Sequence, residues 1–241
     1  GDSAVTGTPI SAEIAQKAQV TVPLTLYSLL VALLVALPPG VLAAYRRHAV
    51  SSRLLSVLGV VAAAVPVVWA GLIGIIVLSN WLGWVPAQGF PRTGWAGPLA
   101  GIRSLPLPAL TIGLVVGAIL FRFVRSATLS ALGAEHVRTA MSQGRTRLGA
   151  LVRHGLPGVG LSVVSLMGLQ IAELLVGAVV IEQLFNLPGL GRMLVSDVGN
   201  RDLLKVQSTL FVLTAVILVL GALIDVLHRV IDPRLRVEEE R

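Results

Sequence analysis

Of the chain's 241 residues, 55% are hydrophobic and 13% charged, with a mean hydropathy of +0.86; this exceeds what a soluble core of that size needs, so the excess faces lipid. A formal charge of +7 would suit nucleic-acid binding in a soluble protein, but here the basic residues stand in short blocks between apolar stretches, which favours a topology signal and excludes a nucleic-acid partner. Cysteine is absent and the four histidines, at 48, 136, 154 and 228, are scattered, so neither a disulfide nor a metal site is expected.

Gly1 stands where an initiator Met is expected, and residues 1–19 are polar and small rather than signal-like, so they are read as an outer lead segment of a longer chain. A spanning helix needs roughly 20 mainly apolar residues. Five segments qualify: 20–44, with Pro38 and Pro39; 54–79, with Pro66; 105–124, with Arg122 near its inner end; 155–181, with Glu173 as the one acidic residue in any span; and 206–224. Residues 80–104, rich in Gly, Pro and Trp, read as an irregular outer loop whose Trp81, Trp84 and Trp95 suit an interfacial belt. Residues 125–154 form a basic inner connection and 225–241 an inner tail. With the amino terminus outside and the carboxyl terminus cytoplasmic, thirteen of the 19 Lys and Arg residues fall on the inner side and six outside, which sets that orientation. The expected fold is an all-α polytopic transmembrane bundle in one domain. The prolines interrupt backbone hydrogen bonds within spans, although proline is frequent in membrane helices generally.

Catalytic motifs are missing. With lysine only at 17 and 205, no G-x-x-x-x-G-K-[ST] phosphate loop exists, and neither a G-x-S-x-G elbow nor an H-E-x-x-H helix occurs. No enzymatic activity and no cofactor bound by this chain are expected, which leaves transport, anchoring or signalling.

The inner connection carries the most information. Glu135-His136-Val137-Arg138-Thr139-Ala140-Met141-Ser142-Gln143-Gly144 is followed, ten residues after the glycine, by His154. A short helix over 131–140, ended by Gly144 and followed by a second over 146–154, makes a compact knob able to pass on force. Farther along stand Gly177 to Leu194, matching G-A-V-V-x-E-x-x-F-x-x-P-G-x-G-x-x-L, then Asn200-Arg201-Asp202, then Asp225 and Asp232-Pro233-Arg234-Leu235-Arg236.

These ordered elements resemble the oligopeptide and dipeptide importer permeases, the OppB/DppB-like half of an ABC permease pair, a group with nickel and glutathione relatives; the 135–144 stretch is similar to its EAA loop, commonly E-Y-V-R-T-A-R-A-K-G-L. The resemblance implies the type I ABC-importer permease fold with six spans in the native protein, in a bacterial inner membrane. It implies a homologous second permease, two ABC ATPase subunits that bind the ATP and Mg, an extracytoplasmic solute-binding protein, a peptide substrate and surrounding lipid. Carried over residue by residue, Glu135, Val137, Arg138, Thr139, Ala140, Gly144 and His154 fall on the coupling loop. Met141, Ser142, Gln143 and Arg145 depart from the usual residues around the glycine, so the docking surface is expected to be specific to its own ATPase. Pro188, Gly189 and Gly191 line an outer gate or form a turn.

Glu173 is not part of that resemblance. A carboxylate within a span costs about 2.5 to 3.5 kcal/mol at the helix centre, so it is expected to face a cavity or protein; Gln170 and Gly177 lie three before and four after it, and the three are assigned to a pathway, against a buried interhelical hydrogen bond as the alternative. Rival functions are an ion-coupled secondary transporter, which would show inverted repeats and several intramembrane charges, and a non-transporting scaffold that uses the basic loop.

Overall fold

The computed structural model describes residues 2, 3, 5, 7–91 and 94–231, with the side chain of Ile231 excepted. Ten α-helices occupy most of that length and no strand occurs among the described residues, where one antiparallel bridge joins Asp2 to Pro9. The closing element 232–236 lies outside the described residues, as do Gly1 and Arg92.

Helix α1 runs Ile10–Tyr45, starting ten residues before the expected span. Hydropathy finds a lipid-facing core and overlooks an amphipathic lead-in: Ile10 and Ile14 are buried with Leu190 and Met193, while Ser11, Ala12, Ala15 and Gln16 stay exposed. Pro38 and Pro39 remain inside this continuous helix. Pro66 does not. The expected span 54–79 is a bent pair, α2 at Val50–Ala64 and α3 at Val67–Gly74, the latter extended by a π-helical segment Ile75–Trp81. Pro66 has an extended ψ of 138° and caps α3, as its missing N–H and its clash with the preceding turn require.

The 80–104 loop is less irregular than expected. Pro98 at the first position starts α4, Pro98–Ser104, which leads into α5, Pro106–Gly133. Arg122 and Arg125 therefore lie within α5, which outlasts the apolar stretch by nine residues because 125–133 continues in good helix formers. Helices α6 (Glu135–Ser142) and α7 (Arg147–Ala150) follow, and a π turn Leu151–Gly155 enters α8, Leu156–Leu184. Helix α9, Leu190–Gly199, precedes α10, Leu203–Ile231. Four helical stretches are long and apolar enough to cross a membrane, and the bent pair makes five.

The chain divides into two compact units, one of residues 1–31, 65–115 and 172–218, the other of 32–64, 116–171 and 219–241. Lipid is as apolar as leucine, so the helices associate through close packing of small residues rather than through expulsion of water. In the first unit Gly113 lies against Val31 and the Ser28 carbonyl, and Gly71 against Leu184 and Phe185. In the second, Gly117 meets the Ala32 backbone, Gly40 meets Val124 and Gly59 meets the Phe121 ring. Ser28, Ala32, Ala36, Gly40 and Ala44 recur every fourth residue of α1 and are all buried, one stripe on which α5 approaches closely within each unit.

Candidate functional site: a glycine-jointed hairpin and a carboxyl-held turn

The first site lies in the second unit. Ala134 is extended, which ends α5 and lets α6 start at Glu135, four residues later than expected. Glu135 sits in the first turn, where a negative charge favours the helix dipole. The other end is closed by a left-handed cap: Gly144 has φ +89°, its N–H donates to Met141 O at 3.0 Å, and Arg145 N–H donates to Ala140 O at 3.2 Å. This paired pattern satisfies the last carbonyls of α6 and needs a residue at ease with positive φ. Thr146 then caps α7 by accepting from Gly149 N–H at 3.2 Å. A left-handed cap and, two residues on, an extended N-cap fold the chain back on itself.

Val137, Ala140 and Ala150 form the buried core of this hairpin, with Met141 packed against them. His136 Nε2–H donates to the His154 carbonyl at 3.1 Å, tying α6 to the π turn before α8. Of the seven residues assigned here from the sequence, Val137 and Ala140 are interior and shape the hairpin. Glu135, Arg138, Thr139, Gly144 and His154 are exposed, and His154 contributes its main chain to the fastening. His136 was given no role, and Thr146 was read only as the start of the second helix. His136 occupies the tyrosine place of the resembled pattern, and Thr146 is an ordinary N-cap signal two residues past a glycine.

The second site lies in the first unit, where α8 turns into α9. Helix α8 ends with the same left-handed cap, here on Asn186 at φ 57°: Asn186 N–H donates to Gln183 O at 3.3 Å and Leu187 N–H to Glu182 O at 2.9 Å. Gly189 is the N-cap of α9 and brings no side-chain cap of its own. That role falls to two distant residues. The Glu182 carboxyl accepts from Arg192 N–H at 3.0 Å and from Gly191 N–H, while Thr21 of α1 donates to Glu182 at 2.6 Å and accepts from Leu190 N–H at 2.8 Å. The first three donors of α9 are thus met by Thr21, which takes Leu190 N–H, and by the fully buried Glu182, which takes the next two in the place where a helix favours an anion. A Cβ on Gly189 would overlap the Glu182 carboxyl, and one on Gly191 would overlap the Val179 backbone. Pro188, Gly189 and Gly191 are therefore parts of a tight turn; Glu182 and Thr21, the residues holding it, were not singled out from the sequence.

Beyond it, α9 ends in a third left-handed cap, with Arg201 at φ 57°, Arg201 N–H on Val198 O and Asp202 N–H on Asp197 O. Asp202 then caps α10, accepting Lys205 N–H at 3.3 Å, and also accepts the Ser3 hydroxyl. That hydroxyl, aided by the Lys205 main chain and charge, holds the Asp202 carboxyl below the usual carboxylate range. The nearly buried Lys205 ammonium binds Glu13 at 2.9 Å and Asp197 at 3.2 Å. A cavity of about 390 Å³ opens here, lined among others by Glu13, Lys17, Arg192 and Lys205.

The three residues assigned to a pathway do not share one environment. Gln170, in the second unit, is buried with its Oε1 unpartnered; Glu173, in the first, is exposed, and Gly177 is half-buried beside Ile112. Among the described residues no cluster of His, Asp or Glu is able to hold a metal ion.

Residues 36–237 match the family model described as the inner membrane component of binding-protein-dependent transport systems. The chain belongs to this family. Similar proteins include putative peptide transport system permease proteins of Brucella abortus (strain 2308), 34% identical over 99% of this chain and 76% of the relative, and of Brucella melitensis biotype 1, 34% identical over 99% and 75%. A glutathione transport system permease protein of Escherichia coli (strain K12) is 33% identical over 98% of this chain and 74% of its own length. The protein is thus a multi-pass permease subunit of an ABC importer, whose family carries no ATPase site of its own and works with ATPase and other subunits. The family match covers the α6–α7 hairpin and the α8–α9 turn, while Thr21 lies before it.

Proposed function

We propose that this permease forms half of a peptide pathway across a bacterial inner membrane, the other half coming from a homologous permease. Two ATPase subunits bind ATP and Mg and dock on the α6–α7 hairpin, and an extracytoplasmic binding protein delivers the substrate. ATP-driven closure of the ATPases moves the hairpin as one body, and the cavity alternates between inward and outward access. The observation that carries this reading is the hairpin's construction: an internal core, a main-chain fastening to α8 and a left-handed joint, with Arg138 and Thr139 left outside for contact. The kinship to permeases named for peptides and for glutathione, itself a tripeptide, supports a peptide substrate.

The proposed orientation has the amino terminus of this chain outside and the hairpin cytoplasmic. The Arg147 guanidinium lies 5.2 Å from the Tyr45 ring, so the hairpin and the basic α1–α2 turn are at one end, which favours a common side for both. Gln170, Glu173 and Gly177 are proposed for the pathway, Glu173 as a group favouring cationic or amino-terminal parts of the substrate, and Pro188, Gly189 and Gly191 for the outer gate.

Co-purification tests the assembly. Stable ATPase subunits and substrate-stimulated ATP hydrolysis in the reconstituted complex are expected, whereas uptake by this chain alone would establish the secondary transporter instead. Glu173→Gln at unchanged complex abundance is expected to lower uptake of cationic peptides several-fold; wild-type rates remove Glu173 from the pathway.

A further inference from the structure

The turn between α1 and α2 carries Arg46, Arg47 and His48, and Arg53 follows in the first turn of α2; all four are exposed. Two arginines at this end are held in place without a carboxylate. Arg47 Nε–H donates to His48 Nε2 at 3.0 Å, and Arg147 lies over the Tyr45 ring. Neither has an acidic partner among the described residues, where the salt bridges involve only Lys205. Guanidinium groups held by an imidazole nitrogen and an aromatic face, rather than by a carboxylate, keep their charge uncompensated, and their planar donor fork suits the oxygens of a phosphate.

The surface beside them is apolar. Helix α2 turns Ser52 and Gly59 inward, with the Ser52 hydroxyl on the Ala43 carbonyl at 2.6 Å and Gly59 against Phe121. Its opposite face presents Leu54, Val57, Leu58 and Val61, each more than half exposed and spaced three or four apart. From Arg53 to Val61 this stripe extends about 12 Å, comparable with one leaflet's share of a hydrocarbon core about 30 Å thick.

We infer that the α1–α2 hairpin is a seat for an anionic phospholipid, whose phosphate is taken by Arg46, Arg47 and Arg147 and whose acyl chain lies along Leu54, Val57, Leu58 and Val61. Charge complementarity selects an anion. The apolar stripe running directly from the arginines selects a lipid over the acidic surface of a partner protein, which has no chain to lay there. The inference stands independently of the transported substrate.

The test uses the assembled importer, purified in mild detergent with its ATPases, and native mass spectrometry with palmitoyl-oleoyl phosphatidylglycerol or the phosphatidylcholine of the same chains as probe. Wild type is expected to retain phosphatidylglycerol in preference to phosphatidylcholine. Arg46→Gln with Arg47→Gln weakens phosphatidylglycerol retention about thirtyfold, at roughly fivefold per surface arginine. Tyr45→Leu keeps every charge but releases Arg147, and weakens retention by about threefold at a smaller loss of electrostatic contact. Arg103→Gln, an exposed arginine of α4 in the first unit, serves as the control with retention unchanged. Equal retention of the two lipids by wild type, or unchanged phosphatidylglycerol binding in the double variant, overturns the seat. Loss of the ATPase subunits with lipid retention intact overturns it too, and assigns the arginines to that partner.

Discussion

The joints at Gly144 and at Asn186 close their helices with the same pair of hydrogen bonds, yet they are held in opposite ways. Gly144 has open space around it, and its hairpin is fastened by its own Val137, Ala140 and Ala150 and by one bond from His136 to the His154 carbonyl. The Asn186 turn is gripped from outside itself, by Glu182 seven residues before Gly189 and by Thr21 from α1. One backbone device thus serves a self-contained hairpin and a junction tied into its surroundings. What separates them is Thr21, which reaches one joint from 161 positions away, whereas every fastener of the other lies within the hairpin and the turn that follows it.

Substitutions at the two joints test this difference. Gly191→Ala drives a methyl group into the Val179 backbone, which has no rotamer to yield, so a loss of about 3 kcal/mol is expected, with the complex failing to accumulate or melting far earlier. A variant that melts like wild type would mean the outer turn is not welded. Thr21→Val keeps the shape and removes both hydroxyl bonds, leaving Leu190 N–H unpaired and Glu182 without its hydroxyl donor; about 2 kcal/mol is expected, read by denaturation of the reconstituted complex.

Gly144→Ala meets no atom within 4 Å and carries only the left-handed backbone penalty, about 1 kcal/mol. Its expected signature is functional: peptide delivered per ATP hydrolysed falls while the melting temperature barely moves, and Gly144→Asn restores most of the ratio because asparagine tolerates positive φ. Equal loss of stability at Gly144 and Gly191 would erase the contrast.

The smallest effect concerns pH. The Asp202 carboxyl has its folded-state pKa below the ordinary value, so its contribution to stability is complete above that value and fades as pH falls through the folded one. Acidifying from about pH 5 toward pH 3 is expected to lower the melting temperature by a degree or two, and Ser3→Ala to flatten that slope. An unchanged slope would remove Ser3 as its cause.

Much of this was legible in the chain. The apolar runs announced the spans, because a bilayer demands length and hydropathy that a linear sequence displays directly. The α6, glycine, α7 arrangement was legible for a similar reason: Glu135, Gly144 and Thr146 are local signals whose hydrogen-bond partners lie within a few residues. The break at Pro66 and the unbroken helix at Pro38 and Pro39 were not distinguishable, since the same residue either kinks or rides along depending on its neighbours. Glu173 drew attention as a charge in an apolar run, while Glu182, eleven residues before Met193 and near the end of the same helix, passed as part of a motif. Its distinction is its burial against the start of α9, and no local pattern records that.

The sequence by itself determined that the chain crosses a membrane, where its apolar spans lie and where its basic blocks stand, because these properties depend on composition and on spacing along one element. The tertiary structure decided which residues became fasteners. Thr21 meets Glu182 across 161 positions of chain, and Gly189 and Gly191 are glycines because of what presses on them; such constraints arise only when distant segments come within hydrogen-bonding or van der Waals reach.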